Sequence, residues 1–399
     1  MLYSVRVLHI TRDFPPRTNG GISTAVGGMV GYCSRTGIEC AVVSFDAWRP
    51  RGHEKASRQE HIARVGSAPV QESGFGSVMR LTSPDQVPAA HAFVDSFLPT
   101  IVHVHHGMLW PFAEDIRARL SIPAIVQIHV VQAAQDRLRG LVEPTRSARS
   151  QLVAMRAADL VVAPSRAAAG MLAAEYLDLP GRVRVLGLGI DDTQDARRAV
   201  AARALATDAG GVGPVLYVGR FADMNGTAEL FAAIPEILER VPGARFVIAG
   251  GIPDNPKAER RWLRRWRERA PASVQARVEL PGWQSRTALA RLYSRASVLV
   301  SPSWLETFGL VVLEAMLHGL PVVATRSGGV EELLDHGRTG MLAAVRDVEQ
   351  LSAHVVELLT RPERAQALGQ AAAARVRERH LWEHTGPTLH ALYRELSAG

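Results

Sequence analysis

The chain has 399 residues, 47% of them hydrophobic and 21% charged, which suits a soluble protein of two ordinary domains and excludes a disordered or fibrous chain. Its apolar runs fall short of the ~20 residues of a membrane span. A formal charge of +7, carried almost wholly by arginine, reads as compositional bias rather than a nucleic-acid footprint, and it suits an anionic small molecule.

Met1–Ile10 reads as a strand without a signal-peptide pattern, and Cys33 and Cys40 fall in core segments as reduced thiols, so a cytoplasmic location is expected. In chain order, β-branched apolar runs predict strands at Val5–Ile10, Glu39–Ser44, Ile101–His105, Ala124–His129, Leu160–Ala163 and Val183–Leu186. Helices fit Ser23–Arg35, Leu109–Leu120, Thr145–Ala157 and Arg166–Tyr176. Ala47–Pro88 is poorly periodic and reads as short, irregular elements. This alternation predicts a doubly wound parallel sheet covered by helices.

After Ile190 the alternation lapses, and Asp191–Gly213 reads as a linker with a lead-in helix. The pattern restarts with strands at Val215–Val218, Arg245–Ala249, Val278–Leu280, Val298–Val300, Pro321–Ala324 and Met341–Ala343. The matching helices are Thr227–Arg240, Glu259–Arg269, Arg286–Arg295, Phe308–His318, Gly329–Asp335 and Val348–Thr360, followed by one helical stretch from Pro362 to Leu396. The expected division is a first domain over 1–190, a linker over 191–213, a second domain over 214–380, and a final helix over 381–399.

Several constellations could carry chemistry. Gly20-Gly21 follows the first strand and opens a helix, which is either a plain turn or an anion site. His103, His105 and His106 form a cluster that no neighbouring cysteine or carboxylate completes as a zinc site, so no metal is expected. His129 ends a parallel strand, where active-site residues gather, though a core histidine fits as well. Gly219-Arg220 ends the first strand of the second domain, with Asn225-Gly226 beyond it. The helix around Arg260–Arg267 carries two tryptophans on one face. It can dock on anionic lipid, but packing of the tryptophans with solvated arginines is the plainer reading.

The run Ser301-Pro-Ser-Trp-Leu-Glu306-Thr307-Phe308-Gly309-Leu310 and then Glu314 reads as a strand end, a tight loop and a helix start. Such a helix start offers backbone N–H groups and the positive dipole end to an anion. Glu306 and Glu314 bracket that point. Carboxylates beside an anion make poor phosphate ligands and good acceptors for sugar and ribose hydroxyls. Thr325-Arg-Ser-Gly-Gly-Val-Glu-Glu332 is a further Gly-rich strand-to-helix turn.

Glu306-x7-Glu314 with Phe308-Gly309 between the acids, preceded by Pro-Ser and followed by Gly-Leu-Pro-Val-Val-Ala-Thr, resembles the signature of retaining glycosyltransferases of family 4. The resemblance implies a GT-B fold: two Rossmann-like domains facing across a cleft, with the last helix crossing back to the first domain. It implies that Glu314 binds the ribose and Glu306 the transferred sugar, with Thr307, Phe308, Gly309 and Leu310 holding the diphosphate beside Gly219 and Arg220. Gly20 and Gly21 would face the donor phosphates, His129 the sugar, and Gly282 and Trp283 the base. Arg17, His106 and Gln132 would lie on the acceptor side. Glu306, His129 and Arg220 are the expected catalytic groups. Where the family has a lysine, this chain has Asn225, and Arg12, Arg17 or Arg326 could supply the missing cation.

The resemblance further implies metal-independent transfer without a cofactor, from a GDP- or UDP-linked sugar, and with no nucleic-acid partner. A small-molecule acceptor of specialised metabolism, as in antibiotic biosynthesis, is expected from the Arg/Ala-rich composition. Three other readings stay open: a non-catalytic sugar-nucleotide-binding protein, a lipid or polysaccharide glycosyltransferase, and a sugar-nucleotide epimerase.

Overall fold

In the computed structural model, which describes residues 4–16, 20–46, 70–72, 76–205, 213–252 and 255–398, the apolar runs become the strands of two separate sheets. Two units result: Met1–Gly189 together with Trp382–Gly399, and Ile190–Leu381.

The first unit is built on β1 (Arg6–Thr11), β2 (Glu39–Ser44), β3 (Val70–Glu72), β4 (Gly76–Arg80), β5 (Ile101–Val104), β6 (Ala124–Gln127), β7 (Leu160–Ala163) and β8 (Val183–Val185). Their order is β3-β4-β2-β1-β5-β6-β7-β8, and every pair is parallel except β3 with β4. β5, β6 and β7 are buried along their whole length. That burial is why these strands read as continuous apolar runs rather than alternating ones. β3, β4 and the turn Pro84–Gln86 are short elements within the span Ala47–Pro88, and the helix Val87–Phe97 opens at its end. Residues 47–69 and 73–75 of that span lie outside the described residues. The helix Gln132–Leu138, which the strand and helix patterns do not predict, follows β6.

The second unit is a six-stranded, wholly parallel sheet of β9 (Val215–Arg220), β10 (Phe246–Gly251), β11 (Val278–Gly282), β12 (Val298–Ser301), β13 (Val322–Thr325) and β14 (Met341–Ala343). The order is β11-β10-β9-β12-β13-β14, so the sequence turns back between β11 and β12, and β9 and β12 lie side by side. In such sheets ligands gather at the carboxyl ends of the strands where the order reverses. The helix Gln194–Leu205 leads into this unit. Its Arg203 is drawn in to donate Nη2 to the carbonyls of Tyr293, Ser294 and Ala296 at 2.7, 3.2 and 2.8 Å. This caps the helix Arg286–Arg295 with a charge of the favoured sign. Trp262 and Trp266 pack on Phe221 and Phe231, with centroids 4.8–5.0 Å apart. The basic helix Pro256–Arg269 therefore turns its aromatic face to the core, as the plainer reading held.

The helical stretch from Pro362 to Leu396 forms two helices, Pro362–Arg379 and Trp382–Ala398, the second starting one residue after the start expected for the final helix. The break has a visible cause. Ile190 N–H donates to His380 O at 2.9 Å and Ile190 pairs with Leu381 as an extended bridge, which pulls those two residues out of the helix. Beyond it, Trp382, Leu389 and Tyr393 are buried in the first unit. Gly386 meets the Tyr32 ring so closely that a Cβ would overlap it.

Candidate active site

Three loops at the carboxyl ends of β9, β12 and β13 build one constellation in the second unit. The loop after β12 is tied to the loop after β13 by two backbone bonds, Glu306 N–H to Ser327 O at 2.7 Å and Gly329 N–H to Glu306 O at 2.8 Å. Thr325 Oγ1 donates to Ser303 O. Trp304 N–H donates to Met224 O at 2.9 Å, linking the same loop to the turn after β9. Every backbone atom that could let Glu306 wander is thus committed to a neighbouring strand end.

Gly309 ends this loop at φ 99°, a conformation closed to most side chains, and caps the helix Leu310–Leu317. A Cβ there would lie 3.0 Å from Val330 Cγ2. The first N–H groups of that eight-residue helix have no intrahelical acceptor and point back toward the loop. The two acids stand on either side of this point. Glu306 accepts from Ser303 Oγ at 3.1 Å, and burial raises its carboxyl to about 6 against the pull of that serine. Glu314 accepts from Tyr293 OH at 2.8 Å. Burial raises it too, opposed by Tyr293 and by the charge of Arg286.

The β9 end completes the constellation. Arg220 closes the strand, and its carbonyl is held by Tyr217 OH at 2.9 Å and Thr227 Oγ1 at 3.3 Å. Burial pushes the Tyr217 phenol up, and the Glu306 charge adds to the push, which puts β9 and Glu306 within electrostatic reach. Asn225 lies half-buried in the turn Asp223–Asn225, its N–H donating to Ala222 O at 3.0 Å. Gly282 ends β11 at φ 71°, followed by Trp283, which is 38% exposed. Arg326, one proposed substitute for the missing lysine, pairs with Glu331 at 3.6 Å.

In the second unit the structure therefore groups Gly219, Arg220, Asn225, Glu306, Thr307, Phe308, Gly309, Leu310 and Glu314, and sets Gly282 and Trp283 at the edge strand. Tyr293 stands at no motif spacing, and only the fold makes it a partner of Glu314. Ser303 belongs to the Pro-Ser that precedes the acids, three residues from Glu306, but its bond to that acid appears only in the folded loop. Arg346 also escaped notice, with its guanidinium 3.7 Å from the centre of the Trp304 ring.

In the first unit, Gly20 and Gly21 stand at the start of the helix Gly21–Arg35, after β1. Arg17 lies outside the described residues. The loop between β1 and that helix is pinned by Arg80, which donates to Phe14 O at 3.0 Å and to Pro15 O, and pairs with Asp46 at 3.1 Å. His106 accepts from Arg12 N–H at 3.4 Å. Gln132 N–H donates to Gln151 Oε1 at 3.0 Å. Asp136, in the same helix as Gln132, is buried and accepts from Thr145 N–H at 2.8 Å.

β6 stops at Gln127, so His129 sits two residues beyond the strand rather than ending it. It is half-buried and bonded to His105, Nε2 to Nδ1, at 3.1 Å. His9, on β1, joins the cluster. It faces His103 in the strand register and lies 3.0 Å from His105, Nδ1 to Nε2. Ligand atoms of His9, His103 and His105 lie within 4.8 Å of one another. A cation could span that distance, but two of those nitrogens already bond each other. Burial holds all of these rings neutral: His9 falls to about 3 and His129 to about 4. His103, His105 and His106 also lie well below the usual histidine range. Sequence alone could not find His9, because β1 and β5 are neighbours only in the folded sheet.

Comparison with known proteins places this geometry. Residues 19–194 match the family profile for glycosyltransferase family 4, and residues 214–361 match that for glycosyl transferases group 1. D-inositol 3-phosphate glycosyltransferase of Mycolicibacterium paratuberculosis is 31% identical over 302 residues, covering 74% of this chain and 66% of that protein, just under two thirds of its length. D-inositol 3-phosphate glycosyltransferase 2 of Catenulispora acidiphila is 30% identical over 325 residues, covering 75% of this chain and 74% of that protein. Glycogen synthase of Mycobacterium tuberculosis is 27% identical over 408 residues, covering 98% and 94%. Among solved structures, sucrose-phosphate synthase from Thermosynechococcus elongatus superposes with a TM-score of 0.77 at 22% identity, covering 99% of both chains. Anabaena Alr3699/HepE, in complex with UDP and glucose, superposes with a TM-score of 0.73 at 16% identity, covering 98% of this chain and 100% of that one. These likenesses show the fold, a pair of Rossmann-like sheets of the GT-B type.

Proposed function

This chain belongs to the family 4 glycosyltransferases, and we propose that it moves a sugar from a nucleoside diphosphate donor to an acceptor hydroxyl with retention of anomeric configuration and without a metal. The observation that supports this most is the joined pair of loops after β12 and β13, which fixes Glu306 and Glu314 on either side of the helix start at Leu310. The helix start and Arg220 are suited to the leaving diphosphate. Glu314, held by Tyr293, is suited to ribose hydroxyls. Glu306, held by Ser303, is suited to hydroxyls of the transferred sugar.

No side chain is assigned as nucleophile. The leaving phosphate takes the acceptor's proton on the face from which it departs, so bond breaking and bond making share one face and configuration is kept. The pocket groups orient the sugar, and exclusion of water limits hydrolysis. Relatives whose names carry inositol 3-phosphate and glycogen lend no support to the antibiotic-type acceptor expected from composition. A small phosphorylated polyol is the acceptor to try first.

Thermal unfolding with UDP, GDP and ADP tests the donor reading. A nucleotide at about a hundred times its Kd adds roughly 2.7 kcal/mol to the folded state. One of the three should raise Tm, and Glu314→Ala should shrink that rise. If no diphosphate raises Tm, or if Glu314→Ala leaves the rise unchanged, the donor assignment is wrong.

A further inference from the structure

The rings at the carboxyl ends of β1, β5 and β6 form an unbroken series that the donor site does not itself require. Cys40 Sγ lies 3.8 Å from His9 Nε2. His9 Nδ1 lies 3.0 Å from His105 Nε2, and His105 Nδ1 lies 3.1 Å from His129 Nε2. Cys40, His9 and His105 are buried, while His129 is half-buried.

A neutral imidazole carries one N–H and one lone pair. Each close N···N contact must hold a single hydrogen, because two would collide and none would leave two lone pairs facing each other. If His105 carries its proton on Nε2, His9 must accept at Nδ1 and carry its own on Nε2. His105 Nδ1 then accepts, so His129 also carries its proton on Nε2. Moving any one proton to Nδ1 reverses the whole series by the same logic.

We infer that His9, His105 and His129 share one locked tautomer, and that His9 and His105 act as positioning residues for His129. Burial supports this, since all three rings stay neutral at physiological pH. The lock decides whether Nδ1 of His129 donates or accepts. The lock itself does not depend on the proposed function.

Nitrogen-15 NMR of histidine-labelled full-length protein tests it, since the two-bond pattern of each ring separates the Nδ1–H form from the Nε2–H form. The wild type should show one and the same neutral form in all three rings, assigned by single His→Gln changes. In His105→Leu, His129 should show both forms, and kcat should fall roughly tenfold with little change in donor KM. Different forms among the three rings of the wild type would overturn the lock. So would a single unchanged form at His129 in His105→Leu. The wild-type spectrum needs no substrate to turn over, so failure of the donor reading leaves it intact.

Discussion

At the scale of the residue, the two acids differ in what their surroundings demand. Glu306 is raised by burial to about 6 from an ordinary 4.5. Between those values the native chain holds more protons than the unfolded one, so stability falls as pH rises through the window, by an amount on the order of 1–2 kcal/mol. Glu306→Gln should flatten that part of the Tm-against-pH curve, and equal slopes in the two proteins would show that Glu306 is not the group concerned. A carboxylate kept at such a cost fits a ligand whose hydroxyls replace the lost water. Asn225 poses the opposite question, since an amide stands where the family places a cation. If the diphosphate lies against this turn, Asn225→Lys adds an attractive charge and should tighten nucleoside diphosphate binding ~3- to 10-fold. Calorimetry giving an unchanged Kd would move the diphosphate elsewhere. Arg220 and both acids were legible in the sequence because motif spacing carries them. Tyr293 and His9 were not, because their partners arrive through helix packing and sheet order.

At the scale of the element, the twelve predicted strands are all present; burial leaves apolar runs in ten of them, while the edge strands β8 and β11 hold no buried residue and read as strands from their β-branched residues and place in the alternation. What the sequence left out has physical reasons. β4 begins Gly76-Ser77, which weakens a strand reading. The helix Val87–Phe97 opens at the end of the poorly periodic span, although proline in its first turn suits a helix start. The break between Pro362–Arg379 and Trp382–Ala398 falls at His380 and Leu381. His380 and Leu381 leave the helix because of bonds to Ile190, a partner almost two hundred positions earlier. The final helix depends on close approach. Gly28 lies beneath Trp382, where a Cβ would sit 2.7 Å from the indole nitrogen, and Gly386 lies against Tyr32. Gly386→Val forces that contact apart and should cost ~1–3 kcal/mol. Denaturant unfolding within 0.5 kcal/mol of wild type would mean the helix reseats without strain.

At the scale of the whole molecule, the chain is two Rossmann-like units. One carries the tied loops with Arg220, Glu306 and Glu314. The other carries the histidine series and the C-terminal helix. Among the described residues no helix is long and apolar enough to cross a membrane. On the proposed function, the protein groups hold and orient the donor while the leaving phosphate takes the acceptor's proton. That division of labour has a stereochemical consequence, because a nucleophile guided by the departing phosphate arrives on the face the phosphate leaves. Proton NMR of the product formed from an α-linked nucleoside diphosphate sugar and a polyol phosphate reads this directly, through the coupling of the anomeric proton. The account predicts an α-linked product, and a β-linked product would contradict it.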